Sequence, residues 1–341
     1  MKAAIVSGDK KVEIVDVQHP TIRDDEVLIK VEAAGVCGSD LHLFRGTHAF
    51  RKPPAILGHE ITGSIVEIGK AVTKFRIGDR VTVEPSKPCG ECAYCKQGLV
   101  NICDSKVVPG TPDWIGTFVE YFPAPESCVY KLADHVSYAL GSLIEPLAVA
   151  VHLVERISAP NRDCMVILGS GSIGLLTLVM AKEMGYKQII CTDTAPYNLE
   201  TALRYGATAA LNPLAEDVVQ RVMELTGGKG ADATVVAAGS PNILTQASEC
   251  TRKRGEIVLV AMITETIPFY SYTVVFREQT ILGAMVYDAQ DFQKAADLIN
   301  GGLDLSGLIT QEFDLQDSQK ALEILSQKDE NVVKVVVRTG A

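Results

Sequence analysis

From about residue 153 onward the sequence alternates short apolar runs with helical stretches: "CMVILG", "SIGLLTLVMAKEMG", "QIICTD", "ATVVAAG", "EIVLVAM" and "TILGAMV". A strand that is apolar on both faces must be covered on both, and the stretches in between supply the helices that cover it. This alternation specifies an α/β fold with a doubly wound parallel sheet. The residues before it follow another period. "VLIKVEAAGV", "ITGSIVEIG" and "RVTVEP" read as short strands separated by Gly, Pro and Asp turns, with almost no long amphipathic helix, so residues up to about 130 predict a mostly β, barrel-like domain. A chain of 341 residues is long enough for two cores, and the change of pattern divides it into 1–152 and 153–287. Residues 288–341 add two helical stretches, "DFQKAADLINGG" and "LQDSQKALEILSQ", and a strand, "NVVKVVVR", that belong to neither pattern. There is no internal repeat and no low-complexity segment.

The first strand of the alternating region runs into "VILGSGSIG", which sets Gly169, Gly171 and Gly174, with Ser172 and Ile173 at the helix start, in G-x-G-x-x-G spacing. Gly169 would make the tight turn, Gly171 would let the backbone approach a pyrophosphate, and Gly174 would pack helix closely on strand. The next strand ends at Asp193, about 20 residues on, where a carboxylate accepts ribose hydroxyls and repels a 2′-phosphate. A dinucleotide is therefore expected, NAD in preference to NADP.

Nine cysteines in a chain with no export signal favour metal or catalytic use over a disulfide framework. Cys128, Cys164, Cys191 and Cys250 lie among apolar neighbours and read as core packing. Cys89, Cys92, Cys95 and Cys103 are different: "CGECAYCKQGLVNIC" offers four thiolates on a polar, glycine-containing loop, suited to a closed, structural tetrahedral Zn2+ site. A redox C-x-x-C is the alternative, but the strand-helix context of a thioredoxin-like site is missing. Cys37, in "GVCGSDLH", is open to two readings, a buried filler or one corner of a catalytic metal site. His59 and Glu60 in "ILGHEITG" and Glu145 in "SLIEPLAVAVH" could complete such a site, since soft, borderline and hard donors together suit Zn2+.

A formal net charge of −10 and a pI near 5.2 argue against nucleic acid as a partner. The most apolar stretch, "YALGSLIEPLAVAVHLV", is interrupted by Glu145 and Pro146 and reads as too short and broken to span a bilayer. With no secretory signal at "MKAAIVSGDKK", a cytoplasmic address is expected.

In "AGVCGSDLH", "LGHEITGSIVEIG", "FRIGDRV", "CGECAYCKQGLVNIC", "LIEPLAVAVH" and "GSGSIGLL" the chain resembles, from end to end, the zinc-dependent medium-chain dehydrogenases, in their branch of polyol, butanediol and threonine dehydrogenases. The resemblance implies a GroES-like, mostly β catalytic domain over 1–152 with both zinc sites, a Rossmann NAD-binding domain over 153–287, and a segment 288–341 that returns to the catalytic domain. It implies two zinc ions per chain: one on the four-cysteine loop, and a catalytic one faced by Cys37, His59 and Glu60, with Glu145 as a fourth ligand or one that exchanges with water. A glutamate at 145, where classical alcohol dehydrogenases have cysteine, points to the polyol-like branch. A zinc-acidified alcohol would lose hydride to NAD and its proton through Ser39, the nicotinamide ribose and His42, with Asp40 supporting the loop. Ala238, Gly239, Val260 and Ala284 would touch the cofactor.

The implied substrate is a small-molecule secondary alcohol: a polyol, sugar alcohol or vicinal diol. Phe44, Thr47, His48, Phe50, Trp114 and Tyr287 are the candidate pocket residues. Sorbitol dehydrogenases usually carry an arginine just before that tyrosine, whereas this chain has Val286, which weakens sorbitol specifically. An L-threonine 3-dehydrogenase and a gulonate-type sugar-acid dehydrogenase are alternatives. A zinc-binding structural or regulatory protein without turnover would be expected to have lost Cys37, His59, Ser39 or the glycines, and an NADPH quinone reductase would lack both zinc clusters. The resemblance also implies a homotetramer or homodimer, with "IPFYSYTVVF" a candidate subunit edge.

Overall fold

The structure is a computed structural model that describes residues 1–8, 10–48, 50–327 and 331–340. The chain forms two compact units, Met1–Glu145 with Asp288–Ala341, and Pro146–Tyr287. The first border falls inside the helix Ile144–Glu155, ahead of the change in sequence period at 153. A helix that leaves one unit for another carries one pattern across the border, so periodicity alone does not reveal it.

In the first unit the eleven-residue strand Glu26–Val36 is the organising element. It pairs antiparallel with Glu60–Ile68, Tyr121–Pro125 and the C-terminal strand Lys334–Arg338. Its residues are buried along almost the whole length, which explains a run richer in Val, Ile and Ala than a half-exposed strand needs. Val27, Ile29, Val31, Ala34 and Val36 pack with Ile61, Ile65, Phe118 and Phe122 in the core. The strand Lys334–Arg338 adds Val335 and Val337 to that core, which stitches the end of the chain into the β unit.

The second unit is a six-stranded, all-parallel sheet in the spatial order 209–211, 188–192, 164–168, 231–236, 251–259, 280–283. Strand order reverses beside Cys164–Leu168, the topological switch point at which doubly wound sheets bind ligands. Gly169 leaves that strand with φ +103°, and a Cβ on Gly174 would stand 1.9 Å from the Gly169 carbonyl oxygen, so both positions require glycine. The helix Ser172–Glu183 follows.

The stretch Tyr138–Glu155 has the length and mean hydropathy (1.3) of a membrane span, so length does not exclude it. It is 67 % buried within the protein and broken between Gly141 and Ile144, which makes it core helix. Cys128, Cys164, Cys191 and Cys250 are buried. Burial pushes the thiols of Cys164, Cys191 and Cys250 up to about 12 and that of Cys128 to about 11, so they stay protonated and inert.

Candidate active site

Strand pairing brings Cys37 and His59–Glu60 together. Gly35 is registered opposite Glu60, so Cys37, just past the end of one strand, meets the residues that open the other. Two glycines make room. Gly58 (φ +86°) turns the chain into His59 where a Cβ would strike Thr117 and Phe118 at 2.4 Å. A Cβ on Gly35 would lie 1.8 Å from Glu60 Oε2, so the bare backbone at 35 is the floor on which the carboxylate rests. Gly35→Ala is expected to displace Glu60 and to lower both thermal stability and zinc content, read by calorimetry and metal analysis.

Donor atoms of Cys37, His59 and Glu60 lie within 4.8 Å of one another. His59 Nδ1 and Glu60 Oε1 are buried without a hydrogen-bond partner, an arrangement costly in itself that a cation would relieve. Burial foremost, then the nearby Glu60 and Asp40 carboxylates, holds the Cys37 thiol above its ordinary pKa, so its deprotonation calls for a strong local cation. The mixed S, N, O set with fewer than four protein donors fits an open Zn2+ site. Glu145 is buried but stands outside this cluster.

Lys334 faces Glu60 from the third strand. Its side chain is 2 % exposed, forms an ion pair with Glu60 Oε2 and donates to the Val36 carbonyl at 3.1 Å. Burial works against the ammonium, yet Glu60 and Cys37 beside it, with Glu145 further off, keep its pKa above the usual lysine value. Asp40, fully buried, ties the two ligand-bearing segments together. Its Oδ2 accepts from the Cys37 main-chain N–H (3.0 Å), and its Oδ1 accepts from that of Gly58 (3.2 Å) and lies 3.8 Å from His59 Nδ1.

The short helix Gly38–Phe44 that Cys37 opens carries Ser39 and His42. The Ser39 hydroxyl accepts from Arg51 at 2.9 Å. His42 Nδ1 lies 3.1 Å from Thr47 Oγ1 on an exposed loop. The other pocket candidates differ in exposure, and the rings of His48 and Phe50 meet edge to face at 4.6 Å. Phe50 is exposed, whereas His48 and Tyr287 are buried. Trp114 and Phe44 are packed in the β core; the Trp114 ring stacks on Phe122 and its N–H is spent on the Pro123 carbonyl at 2.8 Å. An indole saturated in this way is a packing element, because nothing polar is left to address a substrate.

Cys89, Cys92, Cys95 and Cys103 form a second cluster, with sulfur–sulfur separations of 3.5–3.9 Å. A disulfide needs about 2.05 Å, whereas sulfurs about 2.3 Å from one tetrahedral ion stand about 3.8 Å apart. Main-chain N–H groups of Cys89, Cys92, Cys95 and Ser105 point at the sulfurs. Led by the N–H of Cys95, such donors bring Cys92 down to about 6, while burial foremost pushes Cys95 up to about 12, so the proton leaves Cys92 more readily than its neighbour.

In the second unit Gly171 caps the helix Ser172–Glu183, leaving the Ser172 and Ile173 end of that helix as an anion seat. Asp193 is held by the N–H groups of Ser170 (2.8 Å) and Ala195 (2.9 Å), which fixes its carboxylate beside the glycine turn. Ala238 packs against Gly169, and Val260 and Ala284 follow the carboxyl ends of the neighbouring strands, with Gly239 next to Ala238.

Two family models match the chain: alcohol dehydrogenase GroES-like domain over residues 23–134, and zinc-binding dehydrogenase over 172–301. The chain belongs to the zinc-dependent medium-chain dehydrogenases. Among curated relatives of this dehydrogenase, sorbitol dehydrogenase of Bacillus subtilis is 35 % identical, over 99 % of this chain and 97 % of that protein. Among solved structures, an Escherichia coli oxidoreductase/dehydrogenase of unknown specificity superposes with TM-score 0.94 at 33 % identity, covering 100 % of this chain and 99 % of that one. The 2R,3R-butanediol dehydrogenase of Bacillus subtilis superposes with TM-score 0.91 at 30 % identity, over 99 % of each chain.

Two residues of this dehydrogenase that the sequence did not single out are Arg51 and Lys334. Each is a cation buried to more than nine-tenths. The signal for Lys334 was its place in "NVVKVVVR", a lysine inside an apolar strand; Arg51, in "AFRKPP", gave none.

Proposed function

We propose that this enzyme oxidises a secondary alcohol of a polyol or vicinal diol to the ketone, with NAD as hydride acceptor. The observation that carries the reading is the Cys37–His59–Glu60 donor cluster, with its unsatisfied His59 Nδ1, two residues in sequence from Ser39. Zn2+ held there supplies Lewis acidity toward an alcohol oxygen. Cys37 and His59 bind it, and Glu60 either joins them or stays with Lys334 and offers its charge from a short distance. Ser39 would accept the alcohol proton as it gives up its own hydroxyl proton, and His42, hydrogen-bonded to Thr47 and one turn further along the same helix, would pass a proton on to water. Asp193 selects the ribose of NAD, and Gly169, Gly171 and Gly174 admit its pyrophosphate. A second zinc, on Cys89, Cys92, Cys95 and Cys103, is structural. Nine free thiols support a reducing, cytoplasmic setting.

The test is reduction of NAD and, separately, NADP by zinc-replete enzyme with sorbitol, xylitol, inositol, 2,3-butanediol, L-threonine and gulonate. Turnover of a polyol or diol with at least tenfold preference for NAD is the expected result. Turnover of threonine or gulonate alone would replace the substrate class, and preference for NADP would refute the role given to Asp193.

The enzyme is further proposed to be an oligomer built on the outer strand Thr280–Gly283. That strand ends the parallel sheet, and around it Tyr272, Val275, Phe276, Ile281 and Met285 are exposed. Exposed apolar groups beside an open strand edge favour a second copy of the chain. Val275→Asp with Phe276→Asp is expected to give monomers in sedimentation, and an unchanged mass would place the interface elsewhere.

A further inference from the structure

The guanidinium of Arg51 reaches three groups at once. Nη2 donates to Ser39 Oγ at 2.9 Å, Nη1 pairs with Asp40 Oδ1 at 3.5 Å, and Nε contacts His48 Nε2 at 3.2 Å. The Arg51 side chain is 4 % exposed and that of Asp40 is 0 % exposed. The residue's own main-chain N–H also meets His48 Nδ1, at 3.0 Å. Donors thus face both ring nitrogens, and a neutral ring accepts at one of them at a time. Burial foremost, then the Arg51 charge, lowers the His48 pKa to about 4, so the ring adds no charge beside Arg51 at neutral pH.

Asp40 is the crosslink between the Cys37 and Gly58–His59 segments, and Arg51 is the only cation among the described residues that forms an ion pair with it apart from the titratable His59. Removing Arg51 would leave that buried carboxylate with its two main-chain N–H donors and no permanent cation. The other arm of the fork fixes the Ser39 hydroxyl, and only a planar, divided cation reaches both groups.

We propose that Arg51 is a positioning residue of the active site, one arm holding Asp40 and through it the two metal-binding segments, the other holding the Ser39 hydroxyl where it receives the alcohol proton. The Ser39 half rests on the dehydrogenase reading; the Asp40 half does not.

The test compares Arg51→Met and Arg51→Lys with the wild type. The first readout is release of zinc to a chelating dye, which resolves the two sites by rate; the second is kcat and KM. Arg51→Met is expected to release the Cys37–His59–Glu60 zinc at least about tenfold faster, with the four-cysteine zinc unchanged. Arg51→Lys, which keeps a charge for Asp40 and folds where the Met variant fails, is expected to restore zinc retention. Its kcat stays about tenfold low with KM for NAD unchanged, because one ammonium does not span both partners. Zinc release and kcat within twofold of wild type in both variants would overturn the proposal. So would equal loss of both zinc ions, the mark of a merely structural residue. A wild type that turns over no alcohol would sink the dehydrogenase reading alone, and the zinc-release comparison would still decide the Asp40 half.

Discussion

Cys37→Ser is expected to hold one zinc per chain against two expected for the wild type, and to cut kcat by about 10³-fold or more. The estimate follows from the several kcal/mol that a Lewis acid contributes to a developing oxyanion, each 1.4 kcal/mol being about tenfold. Fold and stability should change little. Cys37 is the N-cap of the helix Gly38–Phe44, and serine is a favoured residue at that position. The hydroxyl, however, does not ionise to bind Zn2+ as a thiolate does. The four-cysteine cluster lies on a separate loop and keeps its ion, which serves as the internal control. Metal analysis beside initial rates reads both effects. A variant with two zinc ions, or with more than a tenth of wild-type activity, would remove Cys37 from the catalytic site.

Lys334→Met is the second large effect, and it acts on stability. The ammonium is buried, and it compensates a Glu60 carboxylate that is itself wholly buried. Removing one member of such a pair strands the other charge, at a cost of about 3–5 kcal/mol. Met fills most of the volume, so the loss reports charge and not a cavity. Glu60→Gln in the Lys334→Met background should recover part of it, since the stranded charge is then gone. The measurement is denaturant unfolding of the two variants and the wild type with zinc held constant. A single variant within about 0.5 kcal/mol of wild type would mean that Glu60 draws its compensation elsewhere.

What the sequence disclosed follows the distance over which each feature is encoded. Gly169, Gly171 and Gly174, and the cysteines from 89 to 103, are local patterns whose spacing imposes the geometry, so turn and cluster were legible directly. Cys37 and His59–Glu60 are twenty-odd residues apart, and only the register of Gly35 against Glu60 makes them neighbours. Their residue types alone left a buried thiol and a metal ligand as equal readings; the family resemblance, carried by longer stretches, supplied the pairing. Lys334 lies almost the whole chain away, and no local pattern announces a lysine's partner across three strands. Arg51 was silent for another reason, since a basic residue in a polar loop ordinarily stays in solvent. The surroundings of Trp114 were equally illegible, since its stacking on Phe122 is set by the fold and not by neighbouring residues. The apolar stretch Tyr138–Glu155 shows that composition does not separate a core helix from a membrane span until burial is known.

The most direct test of the account is to follow the hydrogen. The fastest alcohol of the panel, deuterated at its carbinol carbon, would be oxidised by the wild type, and the reduced cofactor examined by mass spectrometry. Direct hydride transfer predicts one deuterium carried to the nicotinamide for each ketone formed, and labelled cofactor produced about 10³-fold more slowly by Cys37→Ser. Ketone formed with an unlabelled cofactor, or labelled cofactor produced by the Cys37→Ser variant at the wild-type rate, would contradict an alcohol dehydrogenase centred on Cys37, His59 and Glu60.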